Sequence, residues 1–216
     1  MTPSNTLIAV ADYGMGNLHS VRKALESLGA TVSVTDDPAA LESAPGFILP
    51  GVGAFGDAME GLRTRGILEV ARSRAAEAAE GGRPFLGICL GMQVLVDEGE
   101  EDPGVRGLGV IAGTCPRLVR STVKIPHMGW NSLTFRQSSN PLFKGLGDSP
   151  SVYFVHSYEV KPNDPGDVAA VADYEGEIVA SLRRANLFAT QFHPEKSQKV
   201  GLGILANFIS LVRQSA

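Results

Sequence analysis

The sequence predicts an α/β fold: an open mixed, mainly parallel sheet flanked by helices, with additional antiparallel strands in the C-terminal half. Three observations predict it. Short β-rich runs alternate with helical patterns through the first half, and from about Val110 the pattern changes to strands separated by Pro, Gly, Asn and Ser. The composition, 44% hydrophobic against 19% charged, supplies apolar material for one extensive core. At 216 residues the chain is about 1.4 lengths of a typical ~150-residue domain, and the simpler reading is a single domain over 1–216.

Leu7-Ile8-Ala9-Val10-Ala11 reads as a buried strand. Leu18, Val21, Ala24, Leu25 and Leu28 then recur at helical spacing between Asn17, a candidate N-cap, and Gly29, a candidate C-cap. Residues 31–35, rich in β-branched side chains, make a second strand and 47–49 a third, followed by a Gly-rich turn over 50–56. A helix rich in Ala, Glu and Arg spans about 66–80, and 84–88 is a fourth, fully buried strand. Strands alternating with helices imply a parallel sheet covered on both faces, with right-handed crossovers. Strands are expected next at 118–125, 130–135, 152–160, 168–174, 178–182 and 187–192, partly antiparallel and added to one side of the parallel sheet. A terminal amphipathic helix buries Leu202, Leu205, Phe208, Ile209 and Val212. Neither a repeat nor a low-complexity linker marks a domain boundary.

A net charge of −4 leaves no electrostatic footprint for nucleic acid or an anionic membrane, so the expected partner is a protein or a small molecule. Two cysteines, Cys89 and Cys115, make neither a disulfide framework nor a metal cluster, which suits a reducing compartment. No Lys or Arg precedes Arg22, so a secretory signal is not expected, and the longest nearly apolar run, 85–96, falls short of the roughly 18 residues of a bilayer span. The reading is of a soluble, cytoplasmic protein.

Gly87-Ile88-Cys89-Leu90-Gly91 leaves a buried strand and enters a helix that continues through Val96. This is the G-x-nucleophile-x-G elbow with Cys in place of Ser, in which small residues let strand and helix close around a strained nucleophile. A thiol at a helix N-terminus is also activated by the dipole. The plainer reading of Cys89 is a buried structural cysteine beside packing glycines. Gln191-Phe192-His193-Pro194-Glu195 raises the odds: in extended backbone His193 and Glu195 project to one side, which suits a base and the carboxylate that orients it. Singly, His193 reads as a core histidine and Glu195 as a solvated charge; together with the elbow they read as a triad.

Gly51-Val52-Gly53-Ala54-Phe55-Gly56 matches the dinucleotide fingerprint literally. It does not follow the first strand, Pro50 precedes it, and no acidic ribose partner ends a second strand about 20 residues on, so that reading is rejected. Glycines flanking Val52 suggest a peptide that can reorient, with the backbone N–H groups of Val52 and Leu90 as an oxyanion hole; Gly56 is equally a plain turn residue. His19, His127, His156 and Cys115 lack metal spacing, and neither a metal nor a cofactor is expected. His156 rivals His193 as base but has no carboxylate at close spacing. Cys115 reads as a packing residue, and Trp130, by base rate, as core near a loop.

These motifs, with Asp12-Tyr13-Gly14-Met15-Gly16-Asn17-Leu18, Pro126-His127-Met128-Gly129-Trp130-Asn131 and Tyr153-Phe154-Val155-His156-Ser157-Tyr158, resemble the class I glutamine amidotransferases over nearly the whole chain. Within that family the likeness is greatest to the glutaminase subunits of imidazole glycerol phosphate synthases; sister branches usually carry His where Met92 stands. The resemblance implies a flavodoxin-like fold and hydrolysis of glutamine to glutamate and ammonia by Cys89, His193 and Glu195. It implies glutamine contacts at Gly53, Gln93, Ser157 and Tyr158, and interface or gating positions at Asn17, Trp130, Tyr153 and Lys196. It also implies a heterodimer with a (β/α)₈-barrel cyclase subunit that receives the ammonia. A freestanding thiol hydrolase, such as a peptidase or γ-glutamyl hydrolase, and a non-catalytic interaction module are the competing readings.

Overall fold

A computed structural model describes residues 7–215. The first strand, β1 (Leu7–Ala11), shows how the core is divided. Ile8 and Val10 point to one face of the sheet and Ala9 and Ala11 to the other, each pair entering a different apolar cluster. Helix α1 (Leu18–Ser27) starts where Asn17 accepts the Ser20 N–H at 3.4 Å. It closes with Gly29 at φ +80°, where a glycine satisfies the last carbonyls without a Cβ penalty.

After β2 (Thr31–Thr35) comes a helix the periodicity did not suggest, α2 (Pro38–Ser43), too short to show an apolar stripe but begun by Asp37 as cap with Pro38 in its first turn. The third strand, β3 (Gly46–Gly51), runs further than expected. The glycine-rich turn is correspondingly shorter, because Phe55 and Gly56 already belong to α3 (Phe55–Thr64). Helix α4 (Leu68–Ala79) and the fully buried β4 (Phe85–Cys89) follow.

The helix after the elbow, α5 (Leu90–Gln93), is a single turn and does not continue to Val96. Its would-be continuation is diverted: the carbonyls of Val94, Leu95 and Val96 accept N–H groups from Leu108, Gly109, Val110 and Ile111 rather than from a further helical turn. A dipole argument for the thiol therefore shrinks to the free N–H groups of one turn.

The second half supplies β5 (Glu98–Gly99), β6 (Gly113–Cys115), β7 (His127–Ser132), β8 (Thr134–Phe135), β9 (Ser151–His156), β10 (Lys161–Pro162), β11 (Val168–Asp173), β12 (Glu177–Arg184), β13 (Leu187–Thr190) and the terminal helix α6 (Gln198–Ser215). No strand spans 118–125: the Glu175 carboxylate takes the N–H groups of Ser121, Thr122 and Val123, holding the segment as a loop. The expected strand at 130–135 is two strands parted at the buried Leu133, and those expected at 152–160 and 187–192 end early, at His156 and Thr190. In α6 the buried face is Ile204, Leu205, Phe208, Ile209 and Val212, while Leu202 is only half-buried.

Eight strands form one sheet in the order β2-β1-β3-β4-β13-β12-β11-β8. The block from β2 to β13 is parallel, and β12, β11 and β8 continue it antiparallel on one side. Helices α2, α3 and α4 pack with one cluster, and α1 and α6 with the other. The antiparallel ribbon of β7 and β9 lies against the α1/α6 side through Val152 and Phe154. In open parallel sheets of this kind ligands sit beyond the carboxyl ends of the strands, and here β3, β4 and β13 end side by side. Among the described residues no helix is long and apolar enough to cross a membrane.

Candidate active site

Cys89 is the last residue of β4 and adopts φ +55°, ψ −108°, a conformation side chains rarely tolerate. Missing side chains around it make that turn possible. A Cβ on Gly91 would stand 1.8 Å from the Leu49 carbonyl oxygen, one on Gly87 2.7 Å from the Gly91 oxygen, and one on Gly51 2.3 Å from the Tyr13 hydroxyl. The elbow glycines are thus close-approach residues, as the pentapeptide suggested.

Next to this turn, Gly51 pairs in register with Cys89, which places Val52 and Leu90 one residue beyond the paired positions. Both line the cavity above the thiol. Val52 is 39% exposed, although apolar. The loop bearing it is held from below: Tyr13 donates to the Pro50 carbonyl at 2.7 Å, and the Met15 methyl occupies the space where a Gly53 side chain would be. The N-terminus of α3 is occupied by protein carboxylates, since Glu101 accepts from Phe55 N at 2.9 Å and Asp102 from Gly56 N at 2.7 Å. A dinucleotide pyrophosphate would need that position, so the fingerprint reading fails on charge as well as on topology.

His193 follows β13, the neighbour of β4, and its backbone is pinned to β9: its N–H donates to the Tyr153 carbonyl at 3.0 Å, and its own carbonyl accepts from Ser197 Oγ at 2.7 Å. His193 Nδ1 lies 2.8 Å from Glu195 Oε1, and both side chains are essentially buried. Burial pulls the imidazole downward, but the Cys89 sulfur as an anion and the Glu195 carboxylate outweigh it and raise the ring to about 9. Nε2 has no hydrogen-bond partner of ordinary geometry, and it is the ring nitrogen that Glu195 leaves free. His156 is engaged at both nitrogens, with Tyr158 O at 2.8 Å and His127 Nδ1 at 3.0 Å, and burial lowers it to about 3. Of the two histidines, only His193 has a nitrogen to offer.

The cavity is about 300 Å³ and gathers most of the residues singled out from the sequence: Val52, Gly53, Cys89, Leu90, Gln93, Ser157, Tyr158 and His193. Glu195 stands behind His193. Three further lining residues, Glu101, Pro126 and Val155, escaped the sequence reading as site residues, and His156, weighed there as a rival base, lines the wall as well. Gln93 is buried and donates through Nε2 to Tyr158 O (3.3 Å) and to Gln191 Oε1 (3.0 Å). Gln191 in turn donates to Cys89 Sγ at 3.7 Å, a contact the motif alone did not reveal. The thiol itself faces the Val155 carbonyl at 4.0 Å.

The remaining sequence-derived positions lie outside the cavity. Asn17 caps α1, and Trp130 sits half-exposed on β7 opposite Tyr153 of β9, their rings edge-on at 6.1 Å. Lys196 is exposed in the turn after Glu195. Cys115 is buried, and burial pushes its thiol up, away from ionisation. Among the described residues no group of three or more His, Cys, Asp and Glu is arranged to hold a metal ion.

The model of the glutamine amidotransferase class-I family matches residues 9–211. The chain is 49% identical over 208 residues to imidazole glycerol phosphate synthase subunit HisH of Moorella thermoacetica, covering 96% of each chain. It is 51% identical over 210 residues to the HisH subunit of Thermosynechococcus vestitus, covering 95% of this chain and 97% of that one. Solved structures with the same fold include the glutaminase domain of Trypanosoma brucei CTPS with bound acivicin (TM-score 0.68, 18% identity, 98% of this chain and 95% of that one). Another is PurLQS from Thermotoga maritima (TM-score 0.67, 22% identity, 95% and 98%). A cysteine elbow facing a buried His-Glu pair, on a sheet of this order and with relatives of this likeness, makes the chain a member of the class I glutamine amidotransferases.

Proposed function

We propose that the chain is the glutaminase subunit of an imidazole glycerol phosphate synthase, a heterodimer with a (β/α)₈-barrel cyclase subunit. What carries the reading is the placement of the Cys89 thiol opposite the His193–Glu195 pair in a cavity of about 300 Å³, at the small end of ligand pockets and suited to a free amino acid. A folate conjugate or a folded peptide substrate would need a longer cleft. The kinship to HisH subunits supports the choice of synthase.

In the proposed reaction His193 takes the thiol proton and Cys89 sulfur attacks the side-chain carboxamide carbon of glutamine. The Val52 and Leu90 N–H groups receive the developing oxyanion. His193 then returns the proton to the leaving nitrogen, and ammonia departs as the glutamyl thioester forms. Water, deprotonated by His193, attacks the thioester, and glutamate leaves as the thiol is restored. Glu195 stays ionised throughout, holding the imidazole and stabilising its cation. Glu101, the carboxylate on the cavity wall, suits the α-ammonium of the substrate, while Gly53, Gln93, Ser157 and Tyr158 enclose its chain. Free ammonia in water becomes ammonium, which is no nucleophile, so it passes directly to the cyclase, whose products serve histidine and purine synthesis. Asn17, Trp130, Tyr153 and Lys196 are assigned to the partner face or its gate. A reducing cytoplasm keeps both thiols free.

The test is a glutaminase assay of the chain alone and with the cyclase and its nucleotide substrate. Weak turnover alone and strong stimulation by the loaded partner is the expected result; equal turnover in both conditions argues for a freestanding hydrolase. Cys89→Ala abolishes glutamine-dependent synthesis while ammonium salts still support the cyclase, and loss of both would make Cys89 structural.

A further inference from the structure

The amide of Gln191 points its nitrogen at the Cys89 sulfur, and that orientation is dictated by groups that have no alternative. The Tyr158 carbonyl can only accept, so the Gln93 atom 3.3 Å from it is the nitrogen Nε2. The same nitrogen lies 3.0 Å from the Gln191 amide, so the Gln191 atom facing it is the oxygen. Its own nitrogen is then turned to Cys89 Sγ, 3.7 Å away. Upstream the logic repeats. His156 Nδ1, 2.8 Å from Tyr158 O, carries the ring proton; His156 Nε2 accepts from His127 Nδ1 at 3.0 Å; His127 Nε2 accepts from Asn131 Nδ2, which is also bound to Asp173 O at 2.8 Å. Every donor in this chain has one acceptor sequence open to it. Gln93, Gln191, His127 and His156 are at most 6% exposed, so bulk water offers no alternative partner.

We infer that Gln191 is a positioning residue for the nucleophile: its amide, aimed by Gln93, donates to the Cys89 sulfur and favours the thiolate over the thiol. This rests on the reading of Cys89 as the nucleophile. A hydrogen bond to a charged acceptor is roughly twice as strong as one to a neutral acceptor, so the contact strengthens when the sulfur ionises. The opposing contact, thiol proton to Val155 carbonyl, is longer at 4.0 Å. Unlike His193, an amide neither gains nor loses a proton in the ordinary pH range, so it steadies the sulfur without competing as a base. The other titratable groups around the thiol are His193 with Glu195 behind it, His156 from β9, Glu101 on the cavity wall, Tyr13 under Gly51 and the buried Cys115.

The experiment is alkylation of the full chain by iodoacetamide over a range of pH, scored by mass spectrometry of the Cys89 peptide, in Gln191→Met and Gln191→Glu. Methionine keeps the length without the donor; glutamate keeps the shape but sets an acceptor against the sulfur. Alkylation in Gln191→Met falls about tenfold at neutral pH, the order of one charge-assisted hydrogen bond, and the deficit closes as pH rises. Gln191→Glu falls further. Thermal unfolding reports whether each variant is folded, and Gln93→Met, which does not touch the sulfur but frees the Gln191 amide to turn, gives the same pH signature independently. A loss of equal size at every pH, or profiles superimposed on the parent chain, overturns the inference. Alkylation needs neither glutamine nor a partner, so a chain lacking glutaminase activity would defeat the proposed function and leave this measurement standing.

Discussion

At the scale of single residues, the pH response separates two kinds of histidine. His193, raised to about 9 against an ordinary value near 6.5, binds its proton more tightly when folded. Its contribution to stability is complete below about 6.5 and is lost as pH rises through about 9. His127 and His156 are lowered by burial to about 4 and about 3, so the unfolded chain takes up protons that the folded one refuses. Stability therefore falls as pH drops from about 6.5 toward 4 and then 3. The unfolding temperature passes through a maximum near neutrality, and Glu195→Gln makes the alkaline limb shallower, Cys89 remaining, while sparing the acid one; an unchanged alkaline limb in a pH series of melting curves would count against this account. The elbow and the His-Pro-Glu segment were legible because their chemistry lies within five consecutive residues. Glu101 was not, because it stands in an acidic run and reaches the cavity only through its bond to Phe55, 46 positions away.

At the scale of elements, the misread segments share a cause: their backbone groups are satisfied by something remote. The β-branched residues between Leu118 and Ile125 suggest a strand, but a strand needs an open edge, and the Glu175 carboxylate supplies the acceptors instead. The Ser121 hydroxyl, with those three N–H bonds, holds the carboxyl down to about 2. In Glu175→Gln the amides of Ser121, Thr122 and Val123 exchange with solvent markedly faster by hydrogen–deuterium measurement, with Glu98–Gly99 in β5 as unaffected reference; unaltered exchange would mean the loop is held otherwise. Helix α5 stops for a similar reason, its following carbonyls taken by 108–111. Strands β1, β3 and β4 of the parallel block were readable because a strand buried on both faces is a continuous apolar run.

At the scale of the whole molecule, the change from α/β to β patterning along the chain does not divide the structure. The sheet crosses it, because β13 is inserted between β4 and β12. We propose that residues 7–215 unfold as one cooperative unit, with residues 1–6 and 216 outside the described structure. Calorimetry then gives a single transition with equal calorimetric and van't Hoff enthalpies, and two resolved transitions would restore a boundary near Val110. The order of strands was not legible in advance. Alternation of strands and helices implies a parallel block, but nothing local to residues 187–190 says that this late strand returns to the middle of the sheet.

That return has a temporal consequence. The His193–Glu195 pair rides on the segment that follows β13, while Cys89 is translated some hundred residues earlier. A chain emerging from the ribosome therefore carries Cys89 through about a hundred residues of synthesis before His193 and Glu195 exist. On the proposed mechanism, glutamine meets a competent catalyst only after β13 has docked beside β4.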